Sequence, residues 1–248
     1  MKIIQLGEVD STNLFAKRNL EKLEDKTVVI AKKQTDGRGR LSRRWIDLGE
    51  GNIFLSIILK PSQTFASVYS NLTQYLSIVL CKILERHGLE PEIKWPNDVL
   101  IDGAKIAGIL SETVMQGNCF KGLILGIGIN VNSNKEQLST ISDKVATALN
   151  IELKKDFVND TIISQELLDE FFLHYDEFIQ KGFEFIKLDY LKRANFIGKD
   201  VCVQVFNEQK KGKVKAVNDE GALILQNNNK EFVLTIGDIL WLKTVYSY

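Results

Sequence analysis

Several apolar segments in the first half of the chain have the length and composition of buried strands. The segment 52–60 is mostly apolar and is followed by Pro61, and the segments 105–115 and 119–130 are joined by a glycine-containing turn at 116–118. Apolar runs this short suit strands that are covered on both faces, and a tight turn between two of them predicts a hairpin. The chain is therefore expected to build a sheet rather than a bundle of helices.

Helical patterns lie among these strands without regular alternation. Apolar residues recur at helical spacing through 62–87, 161–181 and 185–194, and shorter helices are expected at 11–22, after the N-cap candidate at residue 10, and at 145–150. Because the strands surround a few helices in no βαβ order, the pattern predicts an α+β fold with a central mixed β-sheet flanked by helices.

The character of the sequence changes near Asn195. From Asp200 onward, short strand-like segments alternate with tight-turn signals rich in Asn, Asp and Gly. This pattern is typical of a small all-β barrel. We therefore predict a larger domain over 1–195 and a small C-terminal barrel over 196–248.

Charge, cysteine content and hydropathy limit the classes of protein. Among 248 residues, 32 Lys and Arg are balanced by 32 Asp and Glu, which argues against a domain that binds nucleic acid over a broad basic surface. The three cysteines lie far apart and form no CxxC pair, so we expect them to pack as small apolar residues in a reducing cytosol. No apolar run approaches the roughly 20 residues needed to span a bilayer, and a cytoplasmic protein with no membrane partner is expected.

A strand expected at 27–35 leads directly into a basic segment, 32–45, with the sequence KKQTDGRGRLSRRW. Six basic residues stand there beside a single acid, Asp36, although the net charge of the chain is zero. Guanidinium groups bind phosphate and carboxylate oxygens in a bidentate fork, and glycine lets the backbone pass close to a ligand. The segment predicts either a loop that holds an anionic small molecule or a solvated basic loop without a ligand.

Four further motifs combine polar groups with a constrained backbone: DSTN (10–13), KWPNDVL (94–100), KIAGIL (105–110) and GIGINVN (126–132). The lysine that opens the third motif would be costly to bury without an anion nearby. The two glycines of the fourth share one face of a strand and leave room for a flat ligand. Taken singly, these motifs also fit an ordinary helix N-cap, a surface turn and two plain strands.

In this order and spacing, the five segments resemble the signature set of the biotin protein ligase family. The resemblance covers nearly the whole chain and implies a catalytic domain followed by an SH3-like barrel. It implies that biotin and ATP, with Mg²⁺, give biotinyl-5′-AMP and pyrophosphate. A lysine of a biotin carboxyl carrier protein, a subunit of acetyl-CoA carboxylase, then accepts the biotin.

The resemblance also bears on partners other than the substrates. Bifunctional members carry an N-terminal DNA-binding domain, and the DSTN motif here begins at residue 10. We therefore expect a ligase without that domain and without a DNA partner. A homodimer is among the states that the resemblance allows.

The resemblance implies roles for individual residues. Lys105 is expected to bridge the biotin carboxylate and the α-phosphate, and Arg40 to retain the adenylate, which makes these two the candidate catalytic residues. The implied biotin-binding residues are Ser11, Thr12, Gln34, Gly37, Arg38, Lys105, Gly108, Leu110 and Gly126. The implied ATP and adenylate residues are Arg40, Arg43, Trp45, Lys94, Asn97, Asp98, Gly128, Asn130 and Lys243, with Asp98 also the magnesium ligand. The segment 133–140 is expected to cover the adenosine.

One position departs from the family pattern, because Ser42 stands where a second glycine is usual after GRGR-x. That departure leaves the geometry of the closed loop open. Core packing is the alternative role for Trp45. The two histidines, His87 and His174, lie in helical patterns and are expected to be structural, so no covalent enzyme nucleophile is implied.

Two rival functions remain open from the sequence. The first is a lipoate or octanoate ligase of the same superfamily, against which KWPND together with GRGR-x-x-R-x-W favours biotin. The second is a nucleic-acid-binding module that uses the basic segment without catalysis. Single-strand binders interleave several aromatic residues with basic ones, whereas this segment contains one tryptophan.

Overall fold

A seven-stranded mixed sheet occupies the first half of the protein. The structure, a computed structural model, describes residues 1–41, 43–60, 66–141, 145–228 and 230–241. Its strands are β1 (Lys2–Val9), β2 (Thr27–Gln34), β3 (Ile53–Leu59), β4 (Pro91–Lys94), β5 (Asp98–Ile101), β6 (Ala104–Gln116) and β7 (Cys119–Ile129). They lie in the order β1-β2-β3-β7-β6-β5-β4. Only β1 and β2 pair in parallel, so the prediction of a mixed central sheet is confirmed.

The edge strand β1 was not predicted from the sequence. Most of its residues are exposed or half-exposed, so its sequence lacks the continuous apolar character of β3, in which every residue is buried. Its parallel pairing with β2 comes from the crossover through the first helix. An edge strand of this kind is set by its neighbour rather than by its own hydrophobic pattern.

Helices cover both faces of the sheet. They are α1 (Thr12–Arg18), α2 (Leu72–Arg86), α3 (Lys135–Ser139), α4 (Leu149–Glu152), α5 (Asp160–Lys181) and α6 (Lys187–Arg193). On one face, α2 and α5 pack on side chains such as Leu125 and Ile127 of β7. On the opposite face, Ala16 of α1 packs with Ile58 and Ile124. This second face, called here the α1 face, carries the candidate site.

Three helices begin or end at residues other than those predicted. The first helix has Ser11 rather than Asp10 as its N-cap and ends at Arg18, where a short 3₁₀ turn follows. The second begins at Leu72 after another 3₁₀ turn, and the predicted start at 62–65 lies outside the described residues. The helix predicted at 145–150 begins at 149, because the preceding residues bond to the backbone of Lys105 at the start of β6.

Asp10 instead anchors the start of α1 through its side chain. Its carboxylate accepts a hydrogen bond from the Ser11 amide at 2.8 Å and two from the guanidinium of Arg18, at 2.5 and 2.8 Å. The hydrogen bond from Arg18 lowers the pKa of the Asp10 carboxyl. This pairing ties Asp10 to the last residue of α1.

The C-terminal part is a five-stranded antiparallel sheet in the order β11-β10-β9-β8-β12. Its strands are β8 (Asp200–Val205), β9 (Glu208–Val217), β10 (Leu223–Asn227), β11 (Lys230–Leu234) and β12 (Asp238–Trp241). This confirms a small β unit after the α+β part, although the boundary at residue 195 stays a prediction.

The two sheets share one packed interface, in which Leu76 of α2 and Leu223 of β10 belong to the same buried cluster. The Asn71 and Gln74 side-chain amides donate to the carbonyls of Glu220 and Gly221, each at 2.9 Å. The barrel is therefore docked onto the N-terminal end of α2.

The three cysteines differ in burial, although all of them were expected to pack as small apolar residues. Cys81 and Cys202 are buried as expected, and burial raises the pKa of the Cys81 thiol, whereas Cys119 is exposed at the start of β7. Within the described ranges, no helix combines the length and the apolar character needed to cross a membrane.

Candidate active site

The floor of the candidate site is formed by glycines on the α1 face of β6 and β7. Because side chains alternate along a strand, Leu125 and Ile127 point into the α2 core while Gly126 and Gly128 point to the α1 face. Gly108 of β6 is the cross-strand partner of Gly128. The glycines together leave a shallow trough in the sheet.

The basic segment forms a small hairpin above this trough. Gly39 donates its amide to the Arg43 carbonyl at 2.7 Å, and Trp45 donates to the Gly37 carbonyl at 2.8 Å. A Cβ atom on Gly37 would lie 2.6 Å from the Trp45 carbonyl oxygen, so the hairpin requires glycine there. Leu41 at the tip has a φ of 51°, and Ser42 lies outside the described residues.

Trp45 lies in the trough and divides the free space. A Cβ on Gly128 would lie 2.5 Å from the indole Cε2, and one on Gly108 would lie 2.8 Å from Cζ3. The buried indole Nε1 has no hydrogen-bond partner among the described residues. Cavities of about 30 Å³ and about 100 Å³ border the ring, and Arg38, Gly108 and Leu110 line both of them.

The smaller cavity, called here the head-side cavity, is ringed by hydrogen-bonding groups. The Thr12 amide donates to Gln34 Oε1 at 2.8 Å. Ser56 Oγ donates to Asn13 Oδ1 at 2.6 Å and lies 2.8 Å from Thr12 Oγ1. The lining residues are Ser11, Thr12, Asn13, Gln34, Arg38, Trp45, Gly108, Leu110, Gly126, Ile127 and Gly128.

Most predicted biotin-binding residues therefore meet at the head-side cavity, but Lys105 lines only the cationic cavity, and two further placements differ from the prediction. Gly37 lines neither cavity and serves the backbone of the hairpin. Gly128, expected on the nucleotide side, borders the head-side cavity beneath Trp45. Asn13 and Ser56 were missed, and the sequence signal for Ser56 was a lone hydroxyl inside the apolar strand β3.

The larger cavity, called here the cationic cavity, is lined by basic side chains. Its lining residues are Arg38, Gly39, Arg40, Arg43, Arg44, Trp45, Ile46, Asn97, Asp98, Lys105, Gly108, Ile109, Leu110, Asn130, Ile141, Ala146 and Asp238. The Lys105 ammonium lies 2.6 Å from Asp98 Oδ1 and 5.2 Å from the centroid of the Trp45 ring. The anion that a buried lysine requires is thus supplied by the KWPND motif.

A bulge aims Lys105 at the cavity. The register between β5 and β6 shifts after Val99, which pairs with Ala107, so that the next residue pairs with Lys105. Ile106 and Ala107 consequently both face the core, and Lys105 turns to the same face as Gly108. A bulge re-aims a side chain in this way, and its position was not visible in the sequence.

Asp238 of β12 brings the barrel into the site. Its carboxylate lies 2.8 Å from Arg43 Nη1 and 3.6 Å from Arg40 Nη1. Arg40 also donates to Asn97 Oδ1 at 3.3 Å. Burial lowers the pKa of Arg40, and the two nearby carboxylates Asp238 and Asp98 oppose that shift. Asp238 was missed because no local motif marks it.

The remaining predicted residues divide between the site and its surroundings. Asn130 lines the cationic cavity and donates to the Thr147 carbonyl at 3.0 Å. Lys94 lines neither cavity, and Lys243 lies outside the described residues. The segment 133–140, expected to cover the adenosine, forms α3 and its capping box, and Ile141 just after it borders the cationic cavity.

Both histidines lie away from the two cavities. His87 at the end of α2 has its Nε2 2.9 Å from a carboxylate oxygen of Glu166 on α5. His174 on α5 lies 3.9 Å from Glu170, one turn earlier on the same helix. Their structural role, expected from the sequence, agrees with these contacts.

Comparisons with known proteins agree with this geometry. The model of the biotin/lipoate A/B protein ligase family matches residues 6–130, about half of the chain. The bifunctional ligase/repressor BirA of Bacillus subtilis is 34% identical over 203 residues, which are 82% of this chain and 62% of that protein. The chain thus spans less than two thirds of that relative.

Other relatives match over nearly their whole length. The biotin–[acetyl-CoA-carboxylase] ligase of Paracoccus denitrificans is 27% identical, with 95% of this chain and 99% of that protein covered. The structure of biotin protein ligase from Aquifex aeolicus in complex with biotin and ATP has a TM-score of 0.79 and 27% identity, with 96% and 97% of the two chains covered. On the fold, the site and these matches, the chain belongs to the biotin/lipoate A/B protein ligase family.

Proposed function

We propose that this protein activates biotin with ATP as biotinyl-5′-AMP and then transfers biotin to one lysine of a biotin carboxyl carrier protein. The observation that carries the proposal is the pair of adjoining cavities, whose lining side chains differ in charge. Apart from Arg38, which borders both, the polar groups that line the head-side cavity are neutral, whereas the cationic cavity is lined by several arginines. The Lys105 ammonium lines the cationic cavity, 2.9 Å from where a Cβ of Gly108 would be, and Gly108 lines both cavities.

The ring of the head-side cavity favours biotin over a fatty acyl or lipoyl group. The ureido ring of biotin offers N–H donors and a carbonyl acceptor to Thr12, Asn13 and Gln34. An octanoyl chain or a dithiolane ring offers no comparable groups to these polar side chains. A site built for hydrogen bonds rejects a ligand that lacks them more strongly than an apolar pocket rejects an extra group.

Trp45 would have to shift for the ligand to lie across both cavities. Sites for small molecules usually enclose about 300–1,000 Å³, and the two cavities hold about 30 Å³ and about 100 Å³. The indole lies against Gly108 and Gly128, where the acyl chain would pass. Displacement of the ring would join the two cavities.

In the first step, a carboxylate oxygen of biotin attacks the α-phosphorus of ATP, and the bond from that phosphorus to the β-phosphate oxygen breaks. Lys105 lies where it can neutralise both the carboxylate and the α-phosphate. Arg40 and Arg43 supply further positive charge to the phosphates. Fixed charges that stabilise the transition state are the main source of catalysis in such in-line displacements.

Magnesium would enter with ATP. Among the described residues, no group of three or more His, Cys, Asp and Glu side chains could hold a metal. Magnesium commonly binds through substrate phosphates and one or two carboxylates. Asp98 fits the role of one protein ligand, and the ion would lower the charge of the phosphates.

In the second step, the neutral amine of the carrier lysine attacks the carbonyl carbon of the mixed anhydride. An amide bond forms, AMP leaves with the bonding electrons and a proton goes to solvent. Arg40 is proposed to retain the adenylate until this attack, because its guanidinium is held by Asp238 and Asn97 at the cationic cavity. No enzyme nucleophile is needed.

Other expectations from the sequence stay predictions. They are the domain boundary between 195 and 196, a homodimer, the absence of a DNA partner, the cytoplasmic location and a role for Lys243. Asp238 supports a functional barrel, since it reaches the two arginines from β12. The carboxylase that supplies the carrier domain follows from the relatives named as acetyl-CoA-carboxylase ligases.

Mass spectrometry of acceptor domains tests the proposal. A biotin carboxyl carrier domain and a lipoyl domain are each incubated with the protein and Mg-ATP, with biotin, lipoate or octanoate offered separately. The expected result is a mass gain at one lysine of the carrier domain with biotin only. Lys105→Ala should abolish the gain, and Lys215→Ala, which removes an exposed lysine paired with Glu231 in the barrel, should not.

The other outcomes are equally informative. A mass gain on the lipoyl domain with lipoate or octanoate would indicate a lipoate or octanoate ligase of the same family instead. No transfer to either acceptor would reject a ligase function. Full activity of Lys105→Ala would remove the central residue of the mechanism.

A further inference from the structure

Glu112 joins the basic hairpin to the wall of the head-side cavity. It lies on β6 opposite Ile124 of β7, on the α1 face. One carboxylate oxygen, Oε1, accepts from Arg38 Nη1 at 3.0 Å, and the other, Oε2, accepts from Asn13 Nδ2 at 3.0 Å. No role was assigned to Glu112 in the proposed reaction.

The contact with Asn13 makes Glu112 the end of a buried hydrogen-bond network. Asn13 is 4% exposed and Ser56 is fully buried. From Asn13 the network passes through Ser56 to Thr12, and from Thr12 to Gln34. Thr12, Asn13 and Gln34 of this network line the head-side cavity, so the position of Glu112 is fixed by groups that would bind the head of the ligand.

The contact with Arg38 lies nearer to solvent. The Arg38 side chain is 40% exposed, whereas that of Glu112 is 16% exposed. Arg38 borders both cavities, so the ion pair links the hairpin to β6 beside them. Two further ion pairs among the described residues, those of Arg40 and Arg43 with Asp238, join the hairpin to β12 at the cationic cavity.

We propose that Glu112 is a positioning residue that latches Arg38 and holds the basic hairpin closed over the bound biotin head. The inference rests on the proposed function. Because the latch lies at the head-side end and Asp238 anchors the nucleotide end, loss of the latch affects biotin and leaves ATP unaffected. The latch opens for biotin to enter and slows its departure before adenylation.

Glu112→Gln isolates the charge of the latch. Glutamine has the same shape and keeps an oxygen acceptor for Asn13, but it removes the negative charge that faces Arg38. Ion pairs with partial exposure contribute up to about 1 kcal/mol, which corresponds to about a fivefold change in a rate or equilibrium constant. Biotin is therefore expected to dissociate about fivefold faster, with an unchanged KM for ATP.

Glu8→Gln is the matched control. Glu8 forms an exposed ion pair with Lys33 at 2.7 Å on the strands β1 and β2, outside the walls of both cavities. The same chemical change there should leave biotin dissociation unchanged. A double-mutant cycle with Arg38→Gln adds a second criterion, because Glu112→Gln should have no further effect once its partner is gone.

Stopped-flow displacement measures the dissociation rate of biotin from the wild type and four variants. The variants are the two single glutamine variants of the latch, their double variant and the control. An unchanged rate in Glu112→Gln, an equal change in Glu8→Gln, or additive effects in the cycle would overturn the latch. Wild-type protein that binds no biotin would instead reject the proposed function. The two failures are therefore distinguishable.

Discussion

Gly126→Ala is the substitution for which the structure makes the sharpest quantitative prediction. A Cβ at this position would lie 2.2 Å from Asn13 Oδ1 and 2.9 Å from its Cγ. Asn13 is 4% exposed and cannot move into solvent without leaving its network. Its amide would have to rotate, which breaks the hydrogen bonds with Ser56 Oγ at 2.6 Å and with Glu112 at 3.0 Å.

The expected cost has two parts. Overpacking in a closed site costs about 1–3 kcal/mol, and a buried polar group without its partner costs about 1–3 kcal/mol. We expect a loss of about 3 kcal/mol in the free energy of unfolding, which lowers Tm by about 6–12 °C in a chain of this size. Biotin affinity should fall at least about tenfold, since the displaced amide belongs to the head-side cavity.

Thermal unfolding and biotin calorimetry on a small set of variants test the reasoning. Gly7→Ala is the matched control, because no atom lies within 4 Å of a Cβ at that position in β1, and its effect should stay within about 0.5 kcal/mol. In an Asn13→Ala background the clash is absent, so Gly126→Ala should then cost almost nothing. A similar cost in both backgrounds, or a cost no larger than that of Gly7→Ala, would refute the assignment of Asn13 as the clashing group.

Three further predictions follow from charges and burial. Lys105→Ala should destabilise the protein by about 3 kcal/mol, because the Asp98 carboxylate, which is 6% exposed, loses its close ion-pair partner. The double variant Lys105→Ala with Asp98→Asn should regain stability in urea unfolding but should not regain ATP–pyrophosphate exchange. Restored exchange in the double variant would contradict the mechanism. The folded-state pKa of Asp10 is lowered from 3.8, so the stability it contributes is complete above 3.8 and is lost as the pH falls through the lowered value. Asp10→Asn should therefore flatten the acid limb of a stability-against-pH curve, and an unchanged limb would contradict the pairing. A thiol reagent should modify the exposed Cys119 in the native protein and leave Cys81 unmodified, because Cys81 is buried and its thiol pKa is raised by burial. Equal rates of modification of the two cysteines, followed by peptide mapping, would contradict the fold around α2.

The strands and the motifs of the site could be predicted because their signals are local. The strand β3 is buried along its whole length, and only a continuous apolar run can occupy such a position. The glycines at 126 and 128 and the arginines of the basic segment are needed by the chemistry within a few residues of chain. Alternation along β7 was enough to place both glycines on one face.

The ends of helices and the edge strand β1 were harder to predict from the sequence. The helix expected at 145–150 begins at 149, because the residues before it bond to Lys105, which is distant in sequence. The strand β1 is half-exposed and has a weak apolar pattern, so its partner β2 decides its conformation. Such competition between local preference and tertiary pairing is the usual reason for boundary errors.

By itself, the sequence determined a mixed sheet with helices, a small β unit after it, and a basic glycine-containing segment near KWPND and the glycine strand. Only the tertiary structure decided which partners complete the site. Glu112, Ser56 and Asp238 reach it from three separate strands, and a register shift turns Lys105 toward Asp98. A hydrogen bond or an ion pair depends on distances of about 3 Å between atoms, and residues this far apart in the chain acquire such distances only when the sheets have formed and packed.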